Sequence, residues 1–136
     1  MPPPDRSAAR PFIWVRVLIV LAAAGVFMFL AWRSSPWFGQ LGWMPRPLAR
    51  WSDHHGVARN VVGFFGLGLV SFALLGHRWP QFGAAAAFAT GLEVAQIWIP
   101  GRSYDPRDIC ASVLGLALGW LLVAAGAWLG RRRRAA

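Results

Sequence analysis

Glu93 puts a carboxylate inside an otherwise apolar run, and Gln96 follows three positions later. Just beyond, the stretch "PGRSYDPRD" (residues 100–108) brings Arg102, Asp105, Arg107 and Asp108 together. Carboxylates, an amide and guanidinium groups at this density support three kinds of chemistry. They can close a buried ion pair, hold a polar ligand group, or serve as general base and acid, with oxygen ligands for a divalent cation. An ionised carboxylate facing lipid is costly, so Glu93 should face protein and have a partner, with Arg102 and Arg59 as candidate cations. Gln96 shares its helical face. A salt bridge that only fixes helix packing and a site that binds or reacts both fit this pattern.

The elements that must carry these residues are apolar. Of 136 residues 57% are hydrophobic and only 14% charged, which sets the chain apart from an ordinary soluble domain. The net charge of +9 comes from arginine alone, because the sequence has no lysine. Those arginines sit at the ends of apolar runs, a pattern of membrane orientation rather than nucleic-acid binding. A single cysteine, Cys110, leaves no internal disulfide to form.

The expected fold is all-α: an integral membrane bundle of about four transmembrane helices. Residues 1–12 read as a disordered cytoplasmic N-terminus, and 13–32 as the first helix, with Arg16 able to snorkel. A cleaved signal peptide is the competing reading of that segment, but the run is long and "AWRSS" is a poor cleavage site. The core, 33–130, would hold helices at about 60–76, 82–99 and 109–130, followed by a basic cytoplasmic tail, 131–136. Pro80 opens the third span, and Pro100 with Gly101 closes it. Trp14 and Trp32 bracket the first span, Trp79 and Trp98 the third. Each pair is roughly 27–29 Å apart along a helix, about the thickness of the hydrocarbon layer, where tryptophan favours the two interfaces.

Four spans put both termini on one side. That side carries Arg6, Arg10, Arg16, Arg78 and Arg131 to Arg134; the other carries Arg33, Arg46, Arg50, Arg59, Arg102 and Arg107. The positive-inside rule makes the first side cytoplasmic. Polar residues then converge near the outer face: Glu93 and Gln96, Arg59 and Asn60 opening the second helix, and Asp108 and Ser112 opening the fourth. Asp105 and Asp108 can also cap that fourth helix and complement its dipole.

These residues resemble a family. Glu93-x2-Gln96, then Arg102-x2-Asp105-x2-Asp108, then Gly115 and Gly119, look like the signature of VanZ-like membrane proteins. Asn60-x3-Phe64-x3-Gly68 is similar to the family's second-helix motif. The resemblance covers roughly residues 53–122, and the first helix matches only as a generic span. Gly66 stands where many relatives have proline, and Ser112 where they usually have asparagine, so a two-ended amide contact is lost there. The family's namesake is associated with resistance to teicoplanin-type glycopeptides, and its members' biochemical activity is mostly undefined. The resemblance therefore implies a cell-envelope role on lipid-linked molecules or lipid head groups, without carrying resistance itself to this chain.

Three function classes are compatible with these residues. In the first, an outer polar pocket of Glu93, Gln96, Arg102, Asp105, Asp108, Asn60 and Ser112 binds an envelope component, a lipid head group or a drug. In the second, a small membrane enzyme uses Glu93 as general base and Asp105 and Asp108 as acid or metal ligands. The chain has no HExxH, no G-x-S-x-G and no cysteine–histidine pair, and Asp53, His54 and His55 read as solvated loop residues without ligand spacing. A transporter or channel is the third class, and four short helices without an internal repeat speak against it unless the protein oligomerises. No cofactor and no nucleic-acid partner are expected; membrane lipid and a lipid-linked envelope component are. The small residues between Gly83 and Gly91 suit helix contacts within or between chains.

Overall fold

The computed structural model describes residues 10–31, 38–101 and 104–135. It is all-α: α1 spans Arg10–Ala31, α2 Arg46–His54, α3 Gly56–Leu75, α4 Trp79–Ala95 and α5 Pro106–Ala135. Single 3-10 turns cover Phe38–Gln40 and Gln96–Trp98. Among the described residues α1, α3 and α5 are long and apolar enough to cross a membrane. The 17 residues of α4 reach ~25 Å, and the 3-10 turn that continues it adds ~6 Å. Together they match the hydrocarbon thickness.

The centre of the bundle is the parallel pair α3 and α5. Glycine lets their backbones meet. A Cβ built on Gly115 would run into the carbonyl oxygen of Val61 and lie 2.8 Å from the backbone nitrogen of Phe65. One built on Gly119 would lie 2.8 Å from the nitrogen of Leu69 and 2.9 Å from the carbonyl oxygen of Phe65. Gly68 returns the contact, its Cβ position lying 3.2 Å from Cα of Leu116. Lipid tails are as apolar as leucine, so close packing of small residues is what holds such a pair. Val61 beside Gly115 and Leu69 beside Gly119 also fix the direction, since both numbers rise together.

The other two long helices run the opposite way. Phe27, near the end of α1, packs on Phe64, near the start of α3, with ring centroids 5.2 Å apart. Phe64, Leu67, Ala89, Leu92 and Leu116 form the buried core, and Ala23, Phe27, Phe82, Ala85 and Phe88 close around it. Otherwise α1 is peripheral: Phe12, Trp14, Leu18, Leu21 and Phe29 are each at least 60% exposed, as a lipid-facing helix requires. At the far end of the pair, Gly76 adopts φ +102°, which ends α3 as only glycine does easily. The chain then folds back so that the indole Nε1 of Trp120 donates to the carbonyl of His77 at 2.8 Å. Trp79 packs on the same indole, with centroids 4.9 Å apart.

The helices differ from the expectation drawn from sequence in three ways. Residues 46–54 form a helix rather than a loop. Pro45 precedes the helix and Pro47 lies in its first turn, where no backbone donor is needed. Asp53 and His54 therefore belong to α2 and His55 caps it. The Nδ1–H groups of His54 and His55 donate to the carbonyls of Arg50 and Trp51, at 2.7 and 2.9 Å. Secondly, α1, α3, α4 and α5 start at Arg10, Gly56, Trp79 and Pro106, earlier than at 13, 60, 82 and 109, and α4 gives way to its 3-10 turn after Ala95 rather than running to 99. Thirdly, Arg131 to Arg134 continue α5 instead of leaving it. Cations favour a helix C-terminus, and the Arg132 guanidinium lies 3.8 Å from the centre of the Trp128 ring one turn back.

Candidate functional site

Glu93 lies in the last turn of α4 and is only 6% exposed. The turn after it decides its partner. The amide of Gln96 bonds the carbonyls of Glu93 and Val94, and that of Ile99 the carbonyl of Gln96, so the helix tightens into a 3-10 turn. In that geometry side chains three apart nearly eclipse. Gln96 Nε2 accordingly donates to Glu93 Oε2 at 2.8 Å, and Gln96 is itself buried.

The other oxygen of the carboxylate is met from across the bundle. Ser112, fully buried on α5, donates its Oγ hydrogen to Glu93 Oε1 at 3.3 Å. Ser112 is one turn before Gly115, on the face that α5 turns towards the rest of the bundle. Each carboxylate oxygen thus takes a hydrogen bond from a different helix segment, and this fixes the plane of the carboxylate. The one-ended hydroxyl suffices for the contact.

The remaining candidates occupy distinct places. Asp108 is half-buried, one helical turn before Ser112 and on its side of α5. Asp105 is exposed and caps α5: its Oδ1 accepts from the amide of Arg107 at 2.9 Å, and its carbonyl accepts from the amide of Asp108 at 3.0 Å. Pro106 between them lacks an N–H where none is needed, so "DPRD" is a helix start. Asn60 lies half-buried on α3, one turn from buried Phe64 and two from Gly68. Arg102 lies outside the described residues. Among the described residues no group of three His, Cys, Asp or Glu side chains is arranged to hold a metal ion.

A groove lies between α3 and α5 at the same end of the bundle, on the side of α5 turned away from Ser112. It is lined by Val57 and Val61 of α3 and by Pro106, Arg107, Cys110, Ala111 and Leu114 of α5, with a volume of about 420 Å³. Its walls are apolar along two helical turns, and Arg107 stands at the end where α5 begins. Sequence reasoning misses it, because it arises between two helices distant in the chain. Valines at i and i+4 with Cys110, Ala111 and Leu114 are its only visible trace.

An all-α membrane bundle with an oriented carboxylate beneath one end defines the class. The VanZ/LLP1 family model matches residues 7–128, and the chain belongs to that family. No curated protein and no solved structure matches it.

Proposed function

We propose that this VanZ-like membrane protein binds an amphiphilic component of the cell envelope at the end of the bundle that carries Glu93. The observation that supports it most is the buried Glu93 carboxylate, oriented by Gln96 and Ser112 at the end of the bundle where an apolar groove opens between α3 and α5. A head group with a hydrogen-bond donor suits the carboxylate. A hydrocarbon chain suits Val57, Val61 and Leu114, and an anionic group suits Arg107 at the mouth. Lipid head groups, lipid-linked precursors and lipoglycopeptides of the teicoplanin type share that combination. The surplus of arginine at the opposite end, including the quartet on α5, supports cytoplasmic termini and an outward-facing site in the cell membrane.

The test is the thermal stability of detergent-purified protein with added phosphatidylglycerol, polyprenyl phosphate or teicoplanin, each compared with the Glu93→Gln variant. A ligand bound at 100 times its Kd stabilises by about 2.7 kcal/mol, so a specific ligand raises the melting temperature by several degrees. The reading requires one of these to stabilise the wild type and fail on the variant. Equal shifts on both proteins, or none, would sink it. Turnover of polyprenyl phosphate or phosphatidylglycerol that requires Glu93 would establish the enzymatic alternative instead.

A further inference from the structure

We infer that α2 is an interfacial membrane helix, lying in the head-group plane at the Glu93 end of the bundle with Trp43, Leu48 and Trp51 inserted into the leaflet. This stands apart from any ligand of the Glu93 cluster. Only His55 separates α2 from α3, so the C-terminal end of α2 is held close to the membrane surface at which α3 begins.

Its three sides are sorted by chemistry. At 100° per residue, Leu48 and Trp51 lie within about 60° of each other, and Arg46 and Arg50 within about 40°. The two pairs are centred about 150° apart. Leu48 is 51% exposed, Trp51 38%, and Trp43 just before the helix 70%. A third side carries Ala49 and Ser52, which are buried against the protein. The helix thus packs on the bundle by one side, presents aromatic and aliphatic groups on a second and guanidinium groups on a third. This is the arrangement of a helix held at a bilayer surface, with arginines among the phosphates.

Two contacts keep that face in place. Asp53 Oδ2 accepts the backbone N–H of Gly39 at 3.0 Å, which ties the incoming chain to α2. The His55 ring stacks on Trp51 with centroids 5.6 Å apart and planes 18° from parallel. At the start of α3, Val57 and Val62 are also 49% and 58% exposed. The partner that fits is the bilayer itself.

Nitroxide labels test this in full-length protein carrying Cys110→Ser, reconstituted into vesicles of phosphatidylcholine and phosphatidylglycerol. Labels are attached through Leu48→Cys, Trp43→Cys or Arg50→Cys, and collision rates are read against oxygen and a water-soluble nickel chelate. We expect oxygen collisions to exceed nickel collisions several-fold at positions 48 and 43, and the order to reverse at 50. Equal nickel access at all three positions overturns the inference, because α2 would then stand clear of the bilayer. Shielding from both reagents at 48 and 43 overturns it too, since protein, such as a second copy, would cover the face. Should Leu48→Cys fail to accumulate, the label at 43, outside the helix, reads the same property.

Discussion

Ser112 and Glu93 are 19 positions apart in the chain and meet through one hydrogen bond, Oγ to Oε1 at 3.3 Å, with both residues buried. The bond joins the last turn of α4 to the second turn of α5. It makes the carboxylate a shared element of two helices.

Replacing Glu93 by Gln keeps the shape and some of the hydrogen bonding but removes the charge. Hydrogen bonds to charged groups contribute about 1.5–3 kcal/mol each, so a loss of at least about that size is expected. The variant should reach the membrane with a lower melting temperature, and ligand response should fall out of proportion to abundance. Purified yield and melting temperature beside ligand response check it. Full response at normal abundance would place the functional pocket elsewhere.

Ser112→Ala removes one donor to the same carboxylate without creating a large void. We expect a loss of about 1–2 kcal/mol, and non-additivity with Glu93→Gln because the two share one bond. A double-mutant cycle on thermal or denaturant unfolding measures it. Strict additivity would mean that the contact contributes nothing.

Gly115→Ala and Gly119→Ala push a methyl group into the backbone of α3, which has no side chain to yield. The expected cost is at the upper end of the roughly 1–3 kcal/mol typical of overpacking, or greater. Gly126→Ala, where nothing lies within 4 Å of the added carbon, serves as control and should be neutral or slightly stabilising. Membrane yield and melting temperature of the three variants separate close packing from a general intolerance of alanine.

Asp105→Ala should cost about 1 kcal/mol through loss of the α5 cap, while Asp105→Asn should cost much less, since asparagine caps as well. Melting temperatures of the two variants measure the difference. Equal losses in both would show that the charge of Asp105 matters beyond capping.

Alkaline phosphatase fused after Ala136 should be inactive in cells, and the same reporter inserted at Gly42 should be active. The antiparallel course of α1 against α3 and the arginine surplus at the other end are the reasons. The opposite pair of results reverses the orientation. It would leave the bundle as described and move the Glu93 site to the cytoplasmic face.

Much of this protein is determined locally and is therefore legible in the sequence. A helix must satisfy its own backbone in lipid, so each span is announced by its own apolar length. Trp79 and Trp98 mark the ends of the third span and are 71% and 76% exposed, as residues at a lipid interface would be. Pairing of Glu93 with Gln96 is visible too, because a spacing of three is a property of one helix. Asp105 and Pro106 announce the start of α5 for the same reason.

Only the tertiary structure decided the rest. α2 escapes detection because nine residues with two nearby prolines have no apolar length, and the buried side of Ala49 and Ser52 exists only against the folded bundle. The choice of Ser112 as the second partner of Glu93 depends on the register of α5 against its neighbours. The α3–α5 register is set where Gly115 and Gly119 allow the backbone of α3 to close in. A glycine in the sequence permits such an approach at any position; which backbone fills the space is settled only when the helices pack.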